Sequence, residues 1–278
     1  MPQLVIVAFF LFYAIALPAQ DKFRDLFSAK APEGFLEREW TVDGVKRTAL
    51  VRIPVGVAGQ VAVVFCWHGH GGRAAQAAGR WGYEKADTTS ILVFPQGLPT
   101  VSALVDKEGR LPGWQGAVGA EADRDLHFFD AMLADLKKTQ PVDERRIYSM
   151  GHSNGAAFSY VLWQARPEVL AAVGSVAGSL TVKAKDLAPM PVIHVAGQKD
   201  PIVKYGWQEM TFAAVRRFNA CAEEGKPWAK EGVLVATLYA STKGAPLVTA
   251  IHGGGHEYAK GSSELIARFF KENPKSAK

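Results

Sequence analysis

Apolar residues along this chain alternate between short unbroken runs and longer stretches of helical period. Val61–Cys66 and Ile91–Phe94 are runs of the first kind, and Leu170–Val176 and Val192–Ala196 also read as strands. Short apolar runs rich in β-branched residues predict strands buried on both faces of a sheet. Arg146–Met150, Val233–Ala240 and Leu247–Ile251 complete the expected strands. Helices are predicted over Ala74–Thr88, Glu121–Thr139, Asn154–Arg166, Trp207–Ala220 and Ser262–Lys271. In the second of these, Leu126, Phe129, Met132, Leu133 and Leu136 share one face and read as core. Asp123 and Asp125 near its start read as favourable partners of the helix N-terminus. Ser262 is the expected cap of the last helix, with Glu264 in its first turn.

Glu39–Val42 and Lys46–Ile53 flank Asp43-Gly44, a strong hairpin signal. After that hairpin, strands and helices alternate, which implies an α/β architecture with a mostly parallel sheet. No internal repeat and no Pro- or Ser-rich linker divides the chain, so residues 20–278 are read as one domain. Leu98–Gly119 is a Gly- and Pro-containing loop that carries Trp114.

The first residues carry an address. Leu4–Leu17 is an apolar run of signal-peptide length, too short to span a bilayer, and Ala14-Ile15-Ala16 is a small-x-small site. Residues 1–19 are therefore expected to be a signal peptide, although Met1-Pro2-Gln3 lacks the usual basic residue. A buried N-terminal helix is the competing reading. The expected location is secreted, extracellular or periplasmic, with no membrane association after cleavage. The chain has 278 residues, 48% hydrophobic and 21% charged, which excludes disorder as a description of the whole. The net charge of +5 is scattered, with no basic stripe interleaved with aromatics, so no nucleic-acid partner is expected. Two cysteines, Cys66 and Cys221, cannot staple a small scaffold, and their pairing is open at this stage.

The stretch with chemical content is Gly151-His152-Ser153-Asn154-Gly155, a G-x-S-x-G between a predicted strand and a predicted helix. That context is what a nucleophile elbow requires: a sharp turn lifts the serine hydroxyl above the sheet, and glycines remove colliding Cβ atoms. In the corresponding fold the chain order is Ser, acid, His. His256, in the loop Gly253-Gly254-Gly255-His256 before the last helix, is the expected base; His252 reads as a strand-end residue and His194 as a core histidine. Asp200, just beyond the strand Val192–Ala196, is the expected acid, with Asp186 as rival. The oxyanion hole is expected from the amides of Asn154 and His70, with Gly71 as the alternative, in the glycine-rich loop His68-Gly69-His70-Gly71-Gly72. A metal site built on His68 and His70 with His252 or His256 lacks supporting carboxylate spacing, so neither metal nor cofactor is expected. The loop Leu98–Gly119, with Trp114, is expected to line one wall of the site; the alternative for Trp114 is that it anchors its loop. His152 is expected to pack beneath the elbow.

These residues resemble those of the secreted α/β-hydrolase esterases grouped as feruloyl esterases, acetylxylan esterases and polyhydroxybutyrate depolymerase-like proteins. The matching pieces are the His68–Gly72 loop, Phe94-Pro95-Gln96-Gly97, Val142–Tyr148, Gly151–Ala157, Phe218–Cys221, Gly255-His256 and Ser263–Phe270. The resemblance implies an α/β-hydrolase fold with helices on both faces of the sheet, and secreted ester hydrolysis by Ser153, His256 and Asp200. The chain departs from the group's pattern at His70, where a Cys is frequent, and at His256-Glu257-Tyr258-Ala259, where H-x-W-P is frequent. Ala177–Pro191 is too short for a large lid domain, which suits a bulky or polymeric ester. Two other functions share the motif: a serine peptidase of the prolyl-oligopeptidase type, for which the chain lacks length for a propeller, and an inactive hydrolase-fold binding protein.

Overall fold

The computed structural model describes residues 31–181 and 187–276. The expected signal peptide and the rival acid Asp186 lie outside these residues. A ten-stranded sheet organises the chain, in the order β1-β2-β4-β3-β7-β8-β9-β12-β11-β10. The strands are β1 (Leu36–Val42), β2 (Val45–Arg52), β3 (Val61–Trp67), β4 (Ile91–Pro95), β7 (Val142–His152), β8 (Ala172–Val176), β9 (Val192–Gly197), β10 (Lys226–Glu231), β11 (Leu234–Tyr239) and β12 (Leu247–His252). A separate two-stranded ladder, β5 (Leu98–Pro99) with β6 (Pro112–Gly113), lies within the long loop.

Strands β4, β3, β7, β8, β9 and β12 pair in parallel, and each end of the sheet is finished by antiparallel strands. The opening hairpin turns at Asp43 and Gly44, both at positive φ (50° and 77°). That is the geometry in which a two-residue turn matches strand twist, and it is why this dipeptide predicts it. Strands β3 and β4 are buried along their whole length, as their unbroken apolar runs predict, and so are β8 and β9, which carry Ser175 and His194 inside.

Alternate residues of each strand point to opposite faces, so the sheet feeds two cores. On one face Val63, Phe65 and Trp67 meet Phe129 and Met132 of α3 (Arg124–Thr139), Phe158 and Trp163 of α4 (Asn154–Ala165), and Phe212 and Val215 of α5 (Tyr205–Phe218). On the other, Val64 and Cys66 meet Ala77 and Ala78 of α1 (Ala74–Arg80), Tyr83 of α2 (Tyr83–Ala86), and Ile266, Phe269 and Phe270 of α6 (Ser262–Glu272).

Several expectations need correction. The helix expected over Ala74–Thr88 is broken, because Gly82 takes φ +67° and separates α1 from α2. The helix expected from Glu121 starts at Arg124, since Glu121, Ala122 and Asp123 all lie in the left-handed region. Asp125 does lie in the first turn of α3, as expected, but it has a further role. It is fully buried, bonds the Arg47 guanidinium at 2.8 Å and accepts the Gln115 amide at 2.8 Å. Ser262 is not the cap of α6; Gly261 holds that position at φ +95°, and Ser262 is buried inside the helix. Strand β10 was not expected at all. Its sequence, Lys-Pro-Trp-Ala-Lys-Glu, is a half-exposed edge without an apolar face. Cys66 and Cys221 are both free thiols; Cys66 is buried in β3, and burial raises the pKa of each.

Candidate active site

The C-terminal ends of β3, β7, β9 and β12 bring the site residues to one edge of the sheet. Between β7 and α4, Ser153 adopts φ 54° and ψ −118°, a conformation that L-residues rarely take. Its amide donates to the Val176 carbonyl at 2.8 Å, which fixes the turn against β8. The flanking glycines are sterically required. A Cβ on Gly151 would sit 2.3 Å from the carbonyl carbon of Gly155, and one on Gly155 would sit 2.1 Å from the Trp67 carbonyl oxygen.

His256 Nε2 lies 2.8 Å from Ser153 Oγ, and His256 Nδ1 lies 2.8 Å from Asp200 Oδ2. Asp200 is buried, and its Oδ1 accepts the amides of Ile202 at 2.8 Å and Val203 at 2.9 Å. Its Oδ2 also faces Gln208 Nε2 at 3.3 Å. Two further amides clamp the acid loop to the histidine loop: Gln198 donates to the His252 carbonyl and Lys199 to the Gly254 carbonyl, both at 2.9 Å. A Cβ on Gly197 would meet the Gly255 carbonyl at 2.2 Å, so this approach needs glycine there.

The loop after β3 faces the serine. A Cβ on Gly69 would come within 3.3 Å of the Ser153 Cβ. The Gly71 amide is committed to the Pro112 carbonyl at 2.7 Å, and the Gly72 amide to the Gly69 carbonyl at 2.9 Å. Of the two amides weighed from the sequence, that of His70 is therefore the one left without a backbone acceptor among the described residues. The amide of Asn154, first in α4, is the other expected donor. The Asn154 side chain bonds the Trp114 backbone twice, accepting its amide at 2.7 Å and donating to its carbonyl at 3.1 Å.

Trp114 borders the cavity but is only 1% exposed. Its indole Nε1 donates to the His68 carbonyl at 2.8 Å, and its ring packs edge-on against Trp67. The ring is thus an anchor that holds the loop from beneath. His68 is equally structural. Its Nδ1 donates to the Gly69 carbonyl at 2.8 Å and its Nε2 accepts the Gly97 amide at 3.0 Å, leaving neither nitrogen for another ligand. Burial holds its pKa down at about 4. His70 Nε2 faces Asp106 Oδ2 at 3.1 Å across the loop.

His152 packs with its ring centroid 5.0 Å from that of His256; burial first, then the neighbouring His256, lowers its pKa to about 4. His252 is buried at its strand end, where Nδ1 accepts the Gly254 amide at 3.2 Å. His194 is fully buried in β9. The cavity above Ser153 has a volume of about 670 Å³. Its mouth is bordered by Val101, Leu104, Val105 and Leu111 from the long loop, and by Trp81 and Ile202. The loop expected to line one wall, Leu98–Gly119, does border the cavity, whereas Trp81 and Ile202 were not anticipated.

No family model matches the chain. The α/β-hydrolase fold is shared with solved structures. An acetyl xylan esterase from Aspergillus awamori superposes with a TM-score of 0.61 at 14% identity, covering 84% of this chain and 99% of that one. A Bacillus cereus carboxylesterase gives 0.58 at 16% identity, covering 81% and 94%. The Anaeromyces mucronatus ferulic acid esterase gives 0.57 at 13% identity, covering 89% and 94%. The chain therefore has the α/β-hydrolase fold. In sequence, it is 28% identical over 144 residues to NocK of Nocardia uniformis subsp. tsuyamanensis, a protein assigned to the esterases. The match spans 49% of this chain and 39% of NocK.

Proposed function

We propose that this protein is a secreted serine ester hydrolase acting on bulky or polymeric carboxylic esters by a Ser153–His256–Asp200 acyl-enzyme mechanism. The observation that carries the reading is the unbroken run of short contacts from Asp200 through His256 to a serine held in a left-handed turn. His256 takes the Ser153 proton as Oγ attacks the ester carbonyl. Asp200 accepts the Nδ1 hydrogen, so that Nε2 is the basic nitrogen, and it balances the imidazolium that forms. The amides of His70 and Asn154 receive the developing oxyanion, aided by the N-terminus of α4. His256 then gives its proton to the leaving alcohol, and water attacks the acyl-enzyme by the same route. No step requires a cofactor.

The esterase names of the structural neighbours and of NocK support the reaction class, and the open cavity mouth supports a bulky substrate. Feruloyl and acetyl esters of plant polysaccharide and polyhydroxyalkanoate-like polyesters are the lead substrates. The test is release of ferulate from methyl ferulate, acetate from acetylated xylan and hydroxybutyrate from polyhydroxybutyrate, with Ser153→Ala protein as the blank. Turnover that falls by about 10⁶-fold in the variant supports the reading. A wild-type protein inert to all three esters and to a serine-directed phosphonate overturns it. Sequencing the N-terminus of protein recovered outside the cell tests removal of residues 1–19.

A further inference from the structure

The proposed mechanism leaves three buried polar side chains unused, and they stand in line behind the acid. Gln208 on α5 is fully buried; its Nε2 donates to the Val203 carbonyl at 2.8 Å and lies 3.3 Å from Asp200 Oδ2. Its Oε1 lies 3.1 Å from His194 Nε2, and His194 Nδ1 lies 2.8 Å from the Tyr160 hydroxyl. Directions in this chain are fixed by chemistry. The Val203 carbonyl can only accept, so the amide nitrogen of Gln208 faces it and Asp200, and the amide oxygen faces His194. His194 Nε2 must then carry the hydrogen, Nδ1 is the acceptor, and the Tyr160 hydroxyl donates.

The groups facing His194 are Ser175 and Thr249 at its register positions on β8 and β12, the Gly178 backbone, Tyr160 on α4, and Gln208 and Phe212 on α5. None of these carries a charge, and burial keeps His194 neutral with its pKa near 4. Tyr160 lies on the helix that begins immediately after Ser153. The polar contacts therefore close a ring: Ser153, His256, Asp200, Gln208, His194, Tyr160, and back along α4 to Ser153.

We propose that Gln208, His194 and Tyr160 are positioning residues for the acid, holding the Asp200 carboxylate oriented and tying its loop to the nucleophile's own helix. This rests on the serine-hydrolase reading above. Mutually polarised hydrogen bonds in a low-dielectric core orient their members more strongly than isolated ones do.

The experiment uses Gln208→Met, which keeps the side-chain length and removes the amide, and Tyr160→Phe, which removes only the distal hydroxyl. Hydrolysis of p-nitrophenyl acetate is followed against pH, with active sites counted by phosphonate titration. Without the Gln208 donor, Asp200 Oδ2 holds the imidazolium more tightly. The acidic limb of kcat/KM should then move to higher pH, while kcat falls about tenfold and KM stays within about twofold. Tyr160→Phe releases His194 to change tautomer and should move both readouts in the same direction by less. Variants that lose thermal stability but keep the wild-type kcat per titrated site and the wild-type pH profile would reduce the chain to core packing and overturn the proposal. So would a limb that moves to lower pH. If instead Ser153→Ala retains wild-type turnover, the serine-hydrolase reading fails first, and the two failures are distinguishable.

Discussion

The floor of the cavity and its mouth are built differently. Beneath Ser153, every approach is close: Gly151, Gly155 and Gly197 each leave no room for a Cβ, and Trp114 and His68 are pinned by hydrogen bonds to backbone. Across the mouth, Val101, Leu104, Val105 and Leu111 stand 48–61% exposed on a loop held by a two-residue ladder and the His70–Asp106 contact. Tight packing fixes the positions of reacting groups, which must be right to a fraction of an ångström. Exposed aliphatics can change without disturbing that geometry. The contrast teaches that reaction class lies in the floor and substrate choice in the mouth.

Substitutions on the two sides should therefore separate stability from specificity. The largest effect is expected from Gly155→Ala. Its Cβ would collide with the Trp67 carbonyl of β3, and loss of about 4 kcal/mol or more, read as failure to unfold cooperatively in urea, is the expected result. A stable, active variant would show that the floor yields more readily than its geometry implies. Next comes Asp125→Asn, which leaves the buried Arg47 charge uncompensated and releases the Gln115 amide that follows Trp114. About 3–5 kcal/mol should be lost in denaturant titration.

Acid should weaken the floor in a graded way, by a total comparable with those losses once all three histidines are counted. His68, His152 and His194 are held neutral in the folded state with pKa values near 4, against 6.5 when unfolded. Between those values the unfolded chain binds protons that the folded chain refuses. Stability is therefore complete above about pH 6.5 and declines as pH falls toward 4, by up to about 1.4 kcal/mol per pH unit for each histidine. Urea midpoints at pH 7 and pH 5 measure this, and equal midpoints would contradict it. At the mouth, Leu104→Ser should change stability by less than about 0.5 kcal/mol. It should raise KM for a long-chain aliphatic ester several-fold, by about the transfer energy of the lost contact, with acetate ester kinetics unchanged.

The same contrast explains what could be read from the sequence. The buried strands are legible because an apolar run has one stable environment. The Ser153 turn is legible because strain forces glycines on both sides of it, and His256 because a glycine-rich loop precedes it. The Arg47–Asp125 pair was not legible: its partners are far apart in sequence, and an aspartate near a helix start has an ordinary local explanation. Gln208 sits inside an amphipathic helix, where a glutamine reads as surface. Strand β10 is a polar edge with Pro227, which carries no strand period because one side of it has nothing to bury against. The break at Gly82 depends on backbone conformation that composition alone does not specify.

The two cysteines carry a last consequence. Cys66 is sealed in β3 and Cys221 gives its thiol to the Ala245 carbonyl at 3.7 Å, so the native fold waits on no covalent cross-link. The chain can therefore reach the same structure under reducing or oxidising conditions, without oxidase or isomerase. Thiol reductants added during preparation would leave its architecture intact.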